Sequence, residues 1–315
     1  MIRPTCPLCA GSATVESFRK GVFHYRRCRT CSHIFVFPLP TAQQNAAYYG
    51  QSYNEGYLHQ NRGWFECLGT RRMNLVTHYR ARPGRLLDIG SGYGFFLQEA
   101  SRRGWNAVGL EAARAPADFA ASQLGVRVIR QPVEQALFEL QPNSFDFVTF
   151  WHVLEHLEEP GLVLREAVSK VKPGGYLAIN SPNMASAIYK LVGGLWSWIY
   201  TPGHLQYFSL ESLSRWLQRQ GLSVVDEETW TDAPNLYFLI EEAMLVRLKE
   251  VLEVSASSRL RIRGNRLSDY LNTPQHTLDM QFRLNRLYQQ TPLLDRWIRR
   301  RKLGHEFLVL AQAGP

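Results

Sequence analysis

Three glycines at alternate positions follow an acidic residue in Asp88-Ile89-Gly90-Ser91-Gly92-Tyr93-Gly94. The apolar run Arg85-Leu86-Leu87-Asp88-Ile89 leads into this string, and a helical pattern from Phe95 to Arg103 leaves it. Strand, glycine turn and helix in that order place backbone amides at a helix N-terminus, with no Cβ to keep a ligand away. The spacing Gly-x-Gly-x-Gly departs from the Gly-x-Gly-x-x-Gly of dinucleotide sites. The carboxylate of Asp88 would also repel a pyrophosphate, and it suits a ligand carrying an ammonium group and a sulfonium. Glu111 comes 23 residues later, after Asn106 to Leu110, where a carboxylate can accept both hydroxyls of a ribose. Val133 and Glu134 follow a third strand and would border an adenine.

The pattern after residue 84 alternates between short apolar runs and helical periods. Strands are expected at 85–89, 106–110, 126–129, 145–150, 176–179 and 222–230, with a last one at 306–311. Helices are expected at 95–103, 115–124, 162–171 and 210–220, with Gly104, Gly125 and Pro173-Gly174-Gly175 as stops and Ser209 as an N-cap. Such alternation predicts an α/β fold, a parallel sheet with helices on both faces. An N-terminal helix is expected over 64–79 with Cys67 in its core face, and a largely helical, basic insert over 235–303.

The strings Leu-Leu-Asp-Ile-Gly-Ser-Gly-Tyr-Gly at 86–94, Val-Gly-Leu-Glu at 108–111, Ser-Phe-Asp-Phe-Val at 144–148, His-Val-Leu-Glu-His at 152–156 and Lys-Pro-Gly-Gly at 172–175 occur in that order. Over about residues 85–230 the chain resembles the class I S-adenosylmethionine-dependent methyltransferases of the type 11/23 kind. The resemblance implies a Rossmann-like seven-stranded sheet with S-adenosylmethionine as cofactor. It implies that Asp88, Gly90, Ser91, Gly92 and Gly94 cradle the amino-acid end, that Glu111 binds the ribose, and that Val133, Glu134 and Trp151 complete the site.

Ahead of this core, Cys6-Pro7-Leu8-Cys9 and Cys28-Arg29-Thr30-Cys31 are two close pairs separated by eighteen residues. Four thiolates at this spacing close a tetrahedral shell around zinc and leave no open position, which predicts a structural ribbon. His24 and His33 are superfluous as ligands. The expected organisation is a ribbon at 1–40, a Tyr-rich linker and helix at 41–84, the methyltransferase core at 85–234, the insert at 235–304 and a final strand at 305–315. A ribbon ahead of such a core resembles a bacterial group associated with polysaccharide and secondary-metabolite pathways.

The candidates for chemistry stand beyond the fourth core strand. His152, Glu155 and His156 lie at i, i+3 and i+4, so on a helix they would share one face, as a base with its orienter or as ligands for a divalent metal. Quinone-biosynthesis O-methyltransferases, which this stretch resembles, carry Glu-x-x-Glu-His as a proposed metal site, and His152 departs from it at the first position. A scaffold role for Glu155 and His156 is the plain alternative. His204, in Pro202-Gly203-His204-Leu205-Gln206-Tyr207-Phe208, is a further candidate. The aromatic run 191–200 suits a lid, a membrane-interface contact or ordinary core packing.

No run of about 18 apolar residues is present and no signal core precedes the cysteines, so a cytoplasmic protein is expected. The net charge of +9 fits a solvated basic face or an anionic partner. The expected activity is methyl transfer, O-methylation first, to a small-molecule, saccharide or lipid-linked acceptor, with peripheral membrane contact as an option. Two rivals stand beside it. One is an RNA or protein methyltransferase that docks through the ribbon, although the Asn/Asp-Pro-Pro-aromatic string of base N-methylation is replaced here by Trp151-His152-Val153-Leu154. The other is a cofactor-binding scaffold without turnover.

Overall fold

The structure, a computed structural model, describes residues 4–45, 55–196, 198–231, 261–262, 265–266 and 297–314. The chain divides into two compact units, one of Met1–Pro182, Tyr200–Glu227 and Leu308–Pro315, the other of Asn183–Ile199 and Glu228–Phe307.

Three short strands open the chain: β1 (Thr14–Lys20), β2 (Phe23–Cys28) and β3 (Ile34–Val36). A helix α1 (Glu55–Tyr79) leads to the alternating series β4 (Arg85–Ile89), α2 (Phe95–Arg102), β5 (Asn106–Leu110), α3 (Arg114–Leu124), β6 (Val128–Ile129), α4 (Val133–Glu139), β7 (Phe145–Trp151), α5 (Pro160–Lys170) and β8 (Val171–Pro182). Then come α6 (Ala187–Val192), β9 (Gln206–Tyr207), α7 (Leu210–Arg219), β10 (Ser223–Trp230), β11 (Arg261–Ile262), β12 (Asn265–Arg266) and β13 (Glu306–Gln312).

The large sheet has seven strands in the order β10-β13-β8-β7-β4-β5-β6. The chain enters at β4, runs outward through β5 to β6, and crosses back to β7 and β8. The pairs β4–β5, β4–β7, β5–β6 and β7–β8 are parallel. Right-handed crossovers in opposite directions put their helices on opposite faces and leave a crevice where the order reverses, at the carboxyl ends of β4 and β7. Every residue of β7 is buried, as a central strand covered on both faces requires. Leu86, Leu87, Ile89, Phe147, Phe150, Leu177 and Ile179 form the centre of the core, each worth about 1.5–3 kcal/mol on full burial. Gly125 ends α3 at φ 65, the left-handed conformation that a side chain resists.

Asp146 has a structural role at the opposite end of the sheet from the crevice. Its carboxylate accepts from the Arg85 amide at 2.8 Å, Arg80 Nη2 at 2.9 Å and Lys172 Nζ at 2.9 Å. Burial opposes its ionisation, but these partners hold it below the usual carboxylate range. The Ser-Phe-Asp-Phe-Val string thus marks a clamp that ties β7 to β4, β8 and the end of α1.

Several local expectations change. Residues 152–156 form no helix: His152 adopts φ 59, and only Leu154–His156 make a 3₁₀ turn. Cys67 is exposed on α1 instead of lying in its core face. α1 begins nine residues earlier than expected, and Lys172-Pro173-Gly174-Gly175 lies inside β8 instead of ahead of it. The third strand shrinks to Val128–Ile129.

In the second unit, the Ser186 hydroxyl caps α6 by accepting from the Tyr189 amide at 3.2 Å. Trp196 is fully buried beside Tyr189 and Trp198, so this part of the aromatic run is packed core, while Leu191 is exposed. The expected helical insert falls mostly on 232–260, 263–264 and 267–296, outside the described residues. Within it, β11 and β12 pair antiparallel, Arg261 opposite Arg266 and Ile262 opposite Asn265.

Candidate active site

The glycine turn sits at the carboxyl end of β4. The amides of Gly90 and Ser91 both donate to the Leu110 carbonyl, at 2.8 and 2.9 Å, so the turn is tied to the end of β5. Gly90 has φ 71, and a Cβ there would run into the Val153 side chain. The carboxylate of Glu111 spans the turn: one oxygen accepts from the Gly92 amide at 2.9 Å, the other from the Ala113 amide at 2.8 Å.

Asp88 is buried at the end of β4 and accepts from the Thr149 hydroxyl at 2.7 Å. Burial pushes its pKa up to about 7, against the opposing Thr149 hydrogen bond and the charge of Arg72. Burial raises Glu111 as well. Two acids that resist ionisation in a crevice favour a ligand that brings positive charge and hydroxyl donors. Thr149 escaped the sequence reading, yet a lone hydroxyl in the apolar strand 145–151 signalled a buried partner.

S-adenosylmethionine fits this set. Among the described residues, Trp151 Nε1 at the end of β7 is buried without a hydrogen-bond partner, free to meet a ligand's acceptor. Trp151 packs edge-on against Phe96, and the Arg72 guanidinium lies over its ring at 4.9 Å. Val133 is buried and Glu134 half-buried at the start of α4, directly after β6.

The chemistry candidates gather just past β7. The His152 amide donates to the Asn180 carbonyl at 3.0 Å, which fixes the left-handed bend. The bend brings His152 Nδ1 to 3.1 Å from Glu155 Oε1. Glu155 is fully buried, and its other oxygen accepts from the Ser181 hydroxyl at 2.9 Å. Burial alone would raise its pKa. The hydrogen bond and charge of His152, with the charges of His156 and His204, lower it instead to about 2.

His156 Nδ1 donates to the Gly203 carbonyl at 2.8 Å, and its ring lies 4.9 Å from the buried ring of His204. His204 Nε2 pairs with the Tyr200 hydroxyl at 2.9 Å. The expected trio therefore becomes a His152–Glu155 pair and a Glu155–His156–His204 group with donor atoms within 4.8 Å. The group has the composition of a cation site. Yet both Glu155 oxygens and His204 Nε2 are already engaged by protein partners, an arrangement that suits orientation and proton transfer. Tyr200 and Ser181 were not singled out in the sequence as members of this cluster, because each comes from a distant segment.

In the N-terminal module, the four sulfurs of Cys6, Cys9, Cys28 and Cys31 lie within 4.8 Å of one another. Cys6–Cys31 and Cys9–Cys28 are each 3.6 Å apart. Four sulfurs about 2.3 Å from a tetrahedral zinc would be about 3.8 Å apart, so the cluster has the right size. Burial and the crowding of neighbouring thiols push Cys9 up to about 11, a cost that a dication removes. His24 and His33 are occupied elsewhere, with Glu16 and Gln206.

The strand order, the glycine turn and the two carboxylates define a Rossmann-like class I methyltransferase fold. The methyltransferase domain family profile matches residues 58–227, and the chain belongs to that family. A ubiquinone biosynthesis O-methyltransferase of Pseudomonas fluorescens strain SBW25 is 30% identical over 154 residues, 45% of this chain and 66% of that protein. Its counterpart in strain Pf-5 is 30% identical over 168 residues, 49% of this chain and 72% of that protein. The chain thus spans just under two thirds of the first relative. The crystal structure of a SAM dependent methyltransferase from Archaeoglobus fulgidus superposes with a TM-score of 0.51 at 18% identity, over 82% of this chain and all of the other, a likeness of fold.

Proposed function

We propose that this protein transfers a methyl group from S-adenosylmethionine to a hydroxyl of a small-molecule acceptor, with His152 as the group that takes the proton. The observation that carries the proposal is the His152–Glu155 pair at the carboxyl edge of the sheet, beside the glycine turn. The cofactor, when bound, supplies an electrophilic methyl on sulfur. Asp88 would hold its ammonium group and Glu111 its ribose hydroxyls, and Val133 and Glu134 would border its adenine. Gly90, Ser91, Gly92 and Gly94 let its amino-acid end approach the backbone.

The remaining residues orient and move a proton. Glu155, a buried carboxylate, fixes the His152 tautomer and stabilises the imidazolium that forms when the acceptor hydroxyl is deprotonated. Ser181 holds the second Glu155 oxygen and so sets the direction of the first. His156 and His204 line the same cluster and position the acceptor. Support for an oxygen acceptor also comes from the curated relatives, which are named as O-methyltransferases. Saccharide or lipid-linked acceptors fit the same chemistry. The four-cysteine module holds one structural zinc.

The test is formation of S-adenosylhomocysteine with panels of catechol, phenol and saccharide acceptors. His152→Ala is expected to lower turnover about 10²–10⁴-fold, the range of general-base contributions, while cofactor affinity is kept. Cofactor binding without turnover on any acceptor would favour a scaffold. Salt-dependent RNA binding would favour a nucleic-acid acceptor.

A further inference from the structure

We propose that the four-cysteine module positions the acceptor side of the site, with Tyr25 and His33 of the module and Gln206 of β9 as positioning residues for His204 and the Glu155–His156 turn. The inference rests on the proposed methyl-transfer reading for the meaning of that site, while its evidence is separate. β9 pairs with no strand of the seven-stranded sheet. It is instead the last strand of the N-terminal sheet, whose order is β1-β2-β3-β9, with Ile34 opposite Tyr207 and Phe35 opposite Gln206. The Val36 amide extends this pairing by donating to the Leu205 carbonyl at 3.0 Å. The segment that carries His204 is therefore built onto the ribbon.

Side chains then relay the ribbon to the catalytic turn. His33, fully buried and two residues after Cys31, meets Gln206 Oε1 through Nε2 at 2.9 Å. The Gln206 amide donates in turn to the carbonyls of Leu157, at 2.9 Å, and Glu158, at 3.3 Å. The Leu205 amide donates to the Glu155 carbonyl at 2.7 Å. From β2, the Tyr25 hydroxyl pairs with Thr201 Oγ1 at 2.8 Å, and Thr201 Oγ1 donates to the His204 carbonyl at 3.2 Å. That carbonyl also accepts from the Tyr207 hydroxyl at 2.9 Å. A second, separate seam joins the module to the core. Trp216 Nε1 donates to the Leu8 carbonyl at 3.0 Å, and the Gly161 amide donates to the Pro7 carbonyl at 3.0 Å.

These bonds have a directional consequence. None of the hydrogen bonds named in this relay reaches Asp88, Glu111 or the glycine turn. A disturbance of the relay should move His204 and His156 and leave cofactor binding alone, whereas a general loss of folding would affect both. Two variants of the full chain test this. Tyr25→Phe keeps the ring and removes one hydroxyl. Gln206→Met keeps the volume and removes the amide that joins His33 to the turn.

The readouts are the imidazole nitrogen–proton NMR signals of His156 and His204, and calorimetric affinity for S-adenosylhomocysteine. The expected result is displaced His204 and His156 signals in both variants, with affinity within about twofold of the parent. A Gln206→Asn variant, which retains an amide on a shorter arm, is expected to show displacement smaller than that of Gln206→Met. Unchanged imidazole signals in a folded Tyr25→Phe protein would overturn the proposal, even if Gln206→Met fails to fold. Failure of the parent protein to bind S-adenosylhomocysteine would instead overturn the cofactor assignment, and the NMR comparison would still decide the relay.

Discussion

On the proposed reading, Asp88 carries both recognition of the cofactor's ammonium group and a pH response. Its pKa is raised to about 7 from an ordinary value of 3.8, with burial as the main cause. A carboxyl raised on folding favours the folded state fully below the unfolded value, and that contribution is lost as pH rises through about 7. Ligand binding has the opposite sign, because an ammonium group requires the ionised acid. S-adenosylhomocysteine affinity is therefore expected to rise by up to about tenfold per pH unit below about pH 7, then level off. Binding should release a proton. Calorimetry from pH 5.5 to 8.5 in buffers of different ionisation heat checks both points, and Asp88→Asn should give a weak, flat profile. A flat profile in the parent protein would refute the role. The sequence made Asp88 and Glu111 legible because strand, turn and spacing are local properties. Thr149, which holds Asp88 in place, comes from the neighbouring strand, and its partner became identifiable through the β4–β7 register.

At the scale of elements, short-range signals carried well and the turn after β7 did not. Ser209 reads as a cap because it precedes an apolar-periodic run. In the structure it accepts from the Ser212 amide at 3.1 Å, and Ser212 Oγ reciprocates at the Ser209 amide. Ser209→Ala is expected to cost about 1 kcal/mol, measured by denaturant unfolding. No change would mean that tertiary packing alone holds α7. Residues 152–156 misled because i, i+3 and i+4 spacing is the mark of a helix face. The chain brings His152 and Glu155 together by another route, a left-handed bend at His152 that turns its ring back toward the 3₁₀ turn Leu154–His156 carrying Glu155. Partners from β8 and the 203–205 segment impose that bend, through the Asn180, Gly203 and Glu155 carbonyls. No local propensity encodes them.

Over the whole molecule, the four-cysteine module and the methyltransferase core share the first compact unit. Metal content should therefore matter beyond residues 4–37. Elemental analysis is expected to find about one zinc per chain. Chelation is expected to lower the melting temperature and to shift the same His204 and His156 signals that the relay variants move. A well-folded protein with no zinc and unperturbed imidazoles would refute the metal assignment. Among the described residues no helix is long and apolar enough to cross a membrane.

The sequence by itself determined the α/β alternation, the glycine turn with its two carboxylates, and the pairing of the cysteines. Each of these rests on periodicity or on fixed spacing along the chain, which survive without knowledge of distant neighbours. Only the tertiary structure decided that Glu155 stands beside His204, that Asp146 is a clamp, and that β9 belongs to the N-terminal sheet. The contacts of Glu155 with His204, of Asp146 with its partners and of β9 with β3 join residues tens to nearly two hundred positions apart. Such contacts are set by strand order and by the need of buried polar groups for partners, and no window of sequence contains both ends of them.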